Sequence, residues 1–307
     1  MIPNFFIVGA AKSGTTALYH YLRQHPAIYM SPIKEPCFFA PEVVDFNPRS
    51  RQLFESKRAL MRAYLDGPMD EVRMGGFVLE WEQYVRLFRN VTKETAIGEA
   101  SGSYLPSSTA PEAIRERIPA AKIVMMLRNP VDRVYSQYVA AAAEGITRRG
   151  FAEWSRQQAR KEEHHDPPFG PIWIGRYAEH LGRFRSCFPP DQIRVCFYDD
   201  YKANPKAVLR DVFSFLGVDA DYVVDTRIRH NVTLGPRFPG LHAALVVRLR
   251  PALARVLPRG IHRSLVRWYR VEPARPSPDE RKKVTEIYRQ DIRELEVLTG
   301  RDLSGWL

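Results

Sequence analysis

An α/β fold, with a P-loop-like parallel sheet flanked by helices on both faces in one domain over residues 1–307, is predicted by three observations. Short apolar runs rich in β-branched residues alternate with amphipathic stretches of helical length. The first run passes through a glycine-bounded turn directly into a helix. A second run, at 122–127, repeats that succession around an Asn-Pro junction.

Taken in order, Asn4–Val8 reads as a buried strand, Gly9–Gly14 as a turn, and Thr15–Gln24 as a helix with Leu18, Tyr21 and Leu22 on one side. Ile28–Met30 is a second short strand, and two prolines keep Ser31–Pro36 out of a helix. Residues 41–75 carry no clear period. Tyr84–Leu87 and Lys93–Ile97 flank the next strand, and Pro111 opens a helix over Ala110–Arg117. Lys122–Leu127 is the clearest strand, five of its six residues being apolar. Asn129 then serves as an N-cap, with Pro130 at the first helical position and Asp132 in the first turn of a helix through Val131–Glu144. Arg176–Phe188 is a further helix, Ile193–Tyr198 a strand, and Pro205–Leu216 a helix ended by Gly217. Residues 240–275 form a basic, amphipathic helical subregion read as a lid on the acceptor side. Within 277–307, Ser277 and Glu280 make a capping box for a last helix that runs to about Leu298.

Composition narrows the function classes. A net charge of +11 implies a polyanionic partner, and the absence of zinc-finger spacing or an aromatic-basic platform argues against nucleic acid. Cys37, Cys187 and Cys196 form no CxxC pair, which points to a reducing compartment and away from a zinc site. The first strand starts at Phe5, leaving no room for a signal peptide ahead of it, and no run of 18 apolar residues occurs. A cytoplasmic location without a transmembrane segment is the expectation.

Gly9-Ala10-Ala11-Lys12-Ser13-Gly14-Thr15-Thr16 joins a buried strand to a helix, so backbone N–H groups and the helix N-terminus converge on an anion. It is not a Walker A loop. Thr15 follows the second glycine where lysine belongs, and the lysine lies inside the loop at 12. The strand Lys122–Leu127 ends in Arg128, where a P-loop NTPase needs a magnesium-holding aspartate. A donor with two separated anionic groups, handled without metal, fits this pattern better than ATP with magnesium.

Loop Gly9–Thr16 resembles the 5′-phosphosulfate loop of sulfotransferases that use 3′-phosphoadenosine-5′-phosphosulfate (PAPS). The run Arg128–Ser136 is similar to their 3′-phosphate motif, in which the leading arginine and the serine eight positions on bind that phosphate. Gln192–Asp200 resembles the strand that supplies a tyrosine near the nucleotide, here Tyr198, and Leu298–Trp306 resembles the tail of bacterial members. The resemblance implies PAPS as donor, no metal, and contacts from Ala11, Lys12, Ser13, Gly14, Thr15, Thr16, Arg128, Ser136, Tyr198 and Arg229, the last in a basic loop with Arg227 and Arg237. Lys34-Glu35-Pro36, with Phe38-Phe39 after it, resembles the heparan-sulfate-type segment whose glutamate deprotonates the acceptor and whose lysine lies beside the transferring group. It implies catalytic roles for Lys12, Lys34 and Glu35. Phenol- and steroid-type enzymes place a histidine in the region matching Gly98–Tyr104, and none occurs here. Two departures argue against a heparan-like acceptor: Cys37 stands where glycan enzymes often carry histidine, and Ala100 where they often carry lysine.

The reading that follows is sulfuryl transfer to a hydroxyl of a carbohydrate or hydroxylated small molecule, by in-line displacement with a carboxylate base. The basic 240–275 stretch is compatible with an acidic or lipid-linked acceptor. The alternatives are a P-loop kinase or nucleotidase, and a non-enzymatic anion- or membrane-binding module on the same fold.

Overall fold

The computed structural model describes residues 1–45, 48–164, 169–227, 235–236, 270–271 and 275–307. Along the chain come β1 (Phe5–Gly9), α1 (Thr15–Leu22), β2 (Ile28–Met30), β3 (Ile33–Lys34), α2 (Glu42–Asp45), α3 (Pro48–Asp66) and β4 (Arg73–Met74). Next are α4 (Trp81–Arg86), β5 (Ala96–Ala100), α5 (Ala110–Arg117), β6 (Lys122–Leu127), α6 (Pro130–Ala143) and α7 (Phe151–His164). Then follow α8 (Tyr177–Cys187), β7 (Ile193–Phe197), α9 (Tyr198–Ala203), α10 (Pro205–Leu216), β8 (Gly235–Pro236), β9 (Arg270–Val271) and α11 (Pro278–Thr299).

Five strands form one parallel sheet in the order β2-β5-β1-β6-β7, as the alternating sequence pattern predicts. Period-two alternation sorts the strand side chains onto two buried faces. Phe6, Val8, Ile97, Ile123, Met125 and Leu127 face one side, packed with Ile114, Val134, Leu181, Phe184, Tyr288 and Leu295 from α5, α6, α8 and α11. Phe5, Ile7, Ala96, Val124 and Met126 face the other, against Leu18 and Tyr21 of α1 and Leu209, Val212 and Phe213 of α10. The chain leaves β1 toward the β2 edge and later returns to β6 on the opposite side. Loops after β1 and β6 therefore part in opposite directions, and the crevice between them lies at the carboxyl ends of the strands.

Local signals behaved as read. Asn129 caps α6, its Oδ1 accepting from the Val131 and Asp132 N–H groups at 2.9 and 3.4 Å. Gly217 ends α10 in the left-handed region at φ 79°. The Ser277–Glu280 capping box is closed in both directions. Four segments differ. Tyr84–Leu87 belongs to α4 and the turn after it, and the strand is Ala96–Ala100, overlapping the stretch read as its flank. Gly98 and Glu99 disguise that strand, which pairs with neighbours on both sides irrespective of its composition. Tyr198 does not end β7 but opens α9. Two long helices, α3 and α7, were not anticipated; each is mostly polar and buries only a narrow stripe, such as Met61, Tyr64 and Leu65 on α3. Among the described residues no helix is long and apolar enough to cross a membrane. Arg229, Arg237 and nearly all of the 240–275 subregion lie outside the described residues.

Candidate functional site

The loop after β1 is set by hydrogen bonds to its neighbours. The Ala10 N–H donates to Met126 O at 2.8 Å, prolonging the β1–β6 ladder, and the Ser13 N–H closes a turn onto Ala10 O at 3.2 Å. Lys12 takes a left-handed conformation at φ 69°, and Gly14, at φ 93°, starts α1. Gly14 brings no side-chain cap to α1 and no acidic residue lies in its first turn, so no carboxylate of its own offsets the positive end of its dipole. α6 is the contrast. Its N-terminus is filled by its own Asn129 and Asp132, and Arg128, just ahead of it, supplies the positive charge there.

Lys12, Arg128 and Tyr198 meet at this crevice. The Arg128 guanidinium donates to Lys12 O at 3.2 Å and lies 4.9 Å from the Tyr198 ring centroid. The same ring covers Gly14, where a Cβ would stand 3.0 Å from two ring carbons. Glycine is thus required at 14 both by φ and by the approach of Tyr198. Lys12 keeps contact with water but stands among many protein atoms. Lost solvation pushes its pKa below the ordinary lysine value, with Glu144 opposing and Arg133 adding to the shift. Ser13 and Thr15 are buried in the loop, Ala11 and Thr16 half-buried, and Ser136 is buried about two turns into α6.

Glu35 and Lys34 reach the site from the other side. Lys34 is 3 % exposed at its side chain, and its Nζ lies 2.5 Å from Glu35 Oε1. Glu35 itself is held in the left-handed region at φ 67°, its N–H donating to Ala100 O at 2.8 Å. Its second oxygen, Oε2, accepts from the Gly102 N–H at 2.8 Å. Gly102 in turn abuts the loop: a Cβ on it would stand 3.5 Å from the Ala11 backbone. The turn that carries Gly102 is tied to β1, Ser101 N–H donating to Ile7 O at 3.1 Å and Leu105 N–H to Val8 O at 2.8 Å, and the Glu35 side chain is 32 % exposed.

Several supporting residues carried no signal in the sequence. Tyr177 donates from its phenol to Arg128 O at 2.9 Å, and its own backbone N–H is held by Asp291 at 2.8 Å. Asp291 thus caps α8 from α11, more than a hundred residues along the chain, and burial pushes its carboxyl up to about 7 against the backbone N–H groups that lower it. Arg133 is fully buried; it donates to Gln137 Oε1 at 2.8 Å and to Pro171 O. The sequence offered one hint here, a second arginine five residues after Arg128 on the site-facing helix. Glu162 accepts from the Ile172 and Trp173 N–H groups at 2.9 and 2.6 Å, and burial raises its pKa to about 7. Of the expected basic loop, Arg227 is described and pairs with Asp225 at 2.8 Å on the surface.

A parallel sheet whose first strand feeds an uncapped helix, with an arginine at the end of the adjacent strand, defines an α/β protein of the phosphate-loop type. The chain belongs to the sulfotransferase family, whose model matches residues 3–222. It is similar to a sulfotransferase from Alicyclobacillus acidocaldarius of known crystal structure, at 30 % identity and a TM-score of 0.69 over 100 % of this chain and 99 % of that one. It is also similar to carbohydrate sulfotransferase 15 of Rattus norvegicus, at 25 % identity over 71 % of this chain and 44 % of the relative. A third relative is the human bifunctional heparan sulfate N-deacetylase/N-sulfotransferase 3, at 29 % identity over 72 % of this chain and 23 % of that protein. The aligned part thus spans less than half the length of these two curated relatives.

Proposed function

We propose that this chain transfers a sulfuryl group from PAPS to a hydroxyl of a carbohydrate or a hydroxylated small molecule, with Glu35 as the base. The observation that carries the reading is that Glu35 Oε2 is held by the Gly102 N–H, on a turn whose Ser101 and Leu105 N–H groups bind Ile7 O and Val8 O of β1, the strand that leads into the anion loop. A base and an anion cradle fixed to one short segment are what an in-line displacement requires.

Each residue then has a part. Backbone N–H groups at the start of α1, with the Ser13, Thr15 and Thr16 hydroxyls, hold the 5′-phosphosulfate. Arg128 and Ser136 bind the 3′-phosphate and Tyr198 lies beside the nucleotide, which aims the sulfur away from the loop toward Glu35. Glu35 takes the acceptor's hydroxyl proton as the acceptor oxygen bonds to sulfur. The bond between sulfur and the bridging oxygen breaks, its electron pair stays on the 5′-phosphate, and Lys12 stabilises that charge. Lys34 keeps Glu35 in place and adds positive charge beside the transferring group. A carbohydrate acceptor is supported by the similarity to a carbohydrate sulfotransferase and to a heparan sulfate N-sulfotransferase, and the Glu35 side chain is partly exposed to receive its proton.

The test is release of adenosine 3′,5′-bisphosphate from PAPS across a panel of hydroxyl- and amine-bearing glycans and hydroxylated small molecules. Turnover should depend on acceptor and fall by about 10²-fold or more in Glu35→Gln, a typical loss for a general base. Undiminished turnover in that variant contradicts the assignment.

A further inference from the structure

The chain beyond α11 lies outside the residues that the family model matches, yet it grips the corner that carries Tyr198. Gly300, at φ 65°, ends α11, and Ser304–Trp306 makes a single turn closed by the Trp306 N–H on Leu303 O at 2.8 Å. Arg301 reaches Asp200 with both ends of its fork, at 2.5 and 2.7 Å, and its guanidinium lies 4.3 Å from the Phe197 ring centroid. Trp306, 6 % exposed, donates from its indole N–H to Asp199 Oδ2 at 2.9 Å, and its ring meets that of Phe197 edge-on at 5.8 Å.

These contacts fall on Phe197, Asp199 and Asp200, and the residue between them is Tyr198, which reaches Gly14 and Arg128. The corner sits where restraint is thin. β7 stands at the edge of the sheet, α9 is six residues long, and Phe197 at its N-cap position brings no side-chain cap; within α9 the Tyr201 ring flanks that of Tyr198 at 5.9 Å. A lone surface ion pair would fix little, but a bidentate fork seated over an aromatic ring allows one geometry. The tail also touches the other holder of Arg128: the Trp306 ring lies 6.4 Å from that of Tyr177, whose phenol donates to Arg128 O. Arg128 is thus held at its carbonyl by Tyr177 and at its guanidinium by Tyr198, and the tail packs against the seats of both. Acidic side chains beside a polyanion site oppose binding by like charge, so Asp199 and Asp200 serve there as handles for the tail rather than as donor contacts.

We propose that the C-terminal tail is a positioning element of the donor site: Arg301 and Trp306 fix the β7–α9 corner, so that Tyr198 stays on Arg128 and the guanidinium is aimed at the donor's 3′-phosphate. The tail itself touches no donor atom; it acts through the Tyr198 ring. Loosening it therefore weakens a ligand that carries a 3′-phosphate, and does so only while that ring is present. The inference rests on the reading that Arg128 and Tyr198 serve the nucleotide, and the variants are chosen so that the two claims fail separately.

The measurement is calorimetric titration of the full-length chain with adenosine 3′,5′-bisphosphate and, separately, with adenosine 5′-phosphosulfate, which lacks the 3′-phosphate. Arg301→Met should weaken the bisphosphate on the order of tenfold and the phosphosulfate by no more than about twofold. Arg301→Lys keeps the charge without the fork and should still lose about threefold or more of bisphosphate affinity. In a Tyr198→Ala background, Arg301→Met should cost no more than about twofold further. Trp306→Phe keeps a ring and drops the N–H; it should show the same pattern, and it carries the test if Arg301→Met does not fold. Equal losses for the two ligands, or a cost of Arg301→Met undiminished without the Tyr198 ring, would mean general loosening and overturn the proposal. Full affinity in Arg301→Lys would mean that charge alone matters, and overturns it too. A loss in Tyr198→Ala with none in Arg301→Met and Trp306→Phe removes the tail's role and leaves the donor reading standing. Wild-type bisphosphate affinity in both Arg128→Ala and Tyr198→Ala refutes the donor reading itself, and the proposal with it.

Discussion

Replacing Gly14 by alanine probes the joint on which the anion loop turns. The residue sits at φ 93°, and a Cβ would meet two carbons of the Tyr198 ring at 3.0 Å. A non-glycine residue in left-handed backbone costs about 1–2 kcal/mol. Carbon contacts are comfortable near about 3.5–4.0 Å, so the ring must withdraw by roughly 0.5 Å or more. That movement disturbs the packing of Tyr198 on Arg128, both half-buried, with the guanidinium 4.9 Å from the ring centre; a cation–π contact is worth at least about 0.5–1 kcal/mol. The sum, roughly 1.5–3 kcal/mol, corresponds to a 10- to 100-fold loss of affinity if it falls wholly on the ligand-bound loop. Calorimetric titration with adenosine 3′,5′-bisphosphate measures it, with urea unfolding to separate the share that falls on stability. In a Tyr198→Ala background the cost of Gly14→Ala should shrink by about 1 kcal/mol, because only the backbone strain is left. Wild-type affinity and stability in Gly14→Ala, or an undiminished cost without Tyr198, would refute this account of the loop.

Three further outcomes are expected. Lys34→Met should leave donor affinity within about threefold of wild type while lowering kcat, because Lys34 touches Glu35 rather than the loop; equal losses in both would place Lys34 in donor binding. His180 is buried, its Nε2–H donating to Trp173 O at 2.8 Å while Nδ1 accepts from Arg183, and burial with Arg183 lowers its pKa to about 3. The folded pKa being depressed, its contribution is intact above about pH 6.5 and declines by up to about 1.4 kcal/mol per unit as pH falls toward 3. Urea unfolding from pH 7 to 4 should therefore be steeper in wild type than in His180→Gln, and parallel curves would contradict it. Glu99 has the opposite sign: its raised folded pKa means stability present at low pH is lost as pH rises toward about 8. Glu99→Gln should gain on wild type by up to about 1.4 kcal/mol per unit between pH 5 and 7 in the same assay, and a constant difference would count against a neutral buried acid.

What could be read from the sequence follows the range of the forces involved. The β6 strand, the Asn129 cap, the Gly217 stop and the Ser277–Glu280 box are set by residues a few positions apart, and all stand where the pattern places them. The loop and Arg128 were found because a strand-to-helix junction has its own composition. β5 was misplaced because Gly98 and Glu99 answer to partners in β1, β2 and the overlying aromatic cluster. Helices α3 and α7 bury too narrow a stripe to announce a period. The braces of the site were equally hidden. Asp291 caps α8, Tyr177 holds Arg128, and Gly102 holds Glu35, each across a separation at which sequence spacing says nothing. Glu35 was singled out by likeness to a known segment; its left-handed φ and its bond to Gly102 show why that turn is built as it is.

The central claim is that loop Gly9–Thr16 and Arg128 together hold a donor phosphorylated at both ends of its ribose. Titration calorimetry with adenosine 3′,5′-bisphosphate in the presence of a chelator tests it most directly, beside Lys12→Ala, Arg128→Ala and a parallel titration with ATP and magnesium. Metal-independent binding that weakens by about tenfold or more in each variant, and exceeds that of ATP with magnesium, is the expected result. Tighter binding of ATP with magnesium, or undiminished bisphosphate affinity in Lys12→Ala and Arg128→Ala, would contradict it.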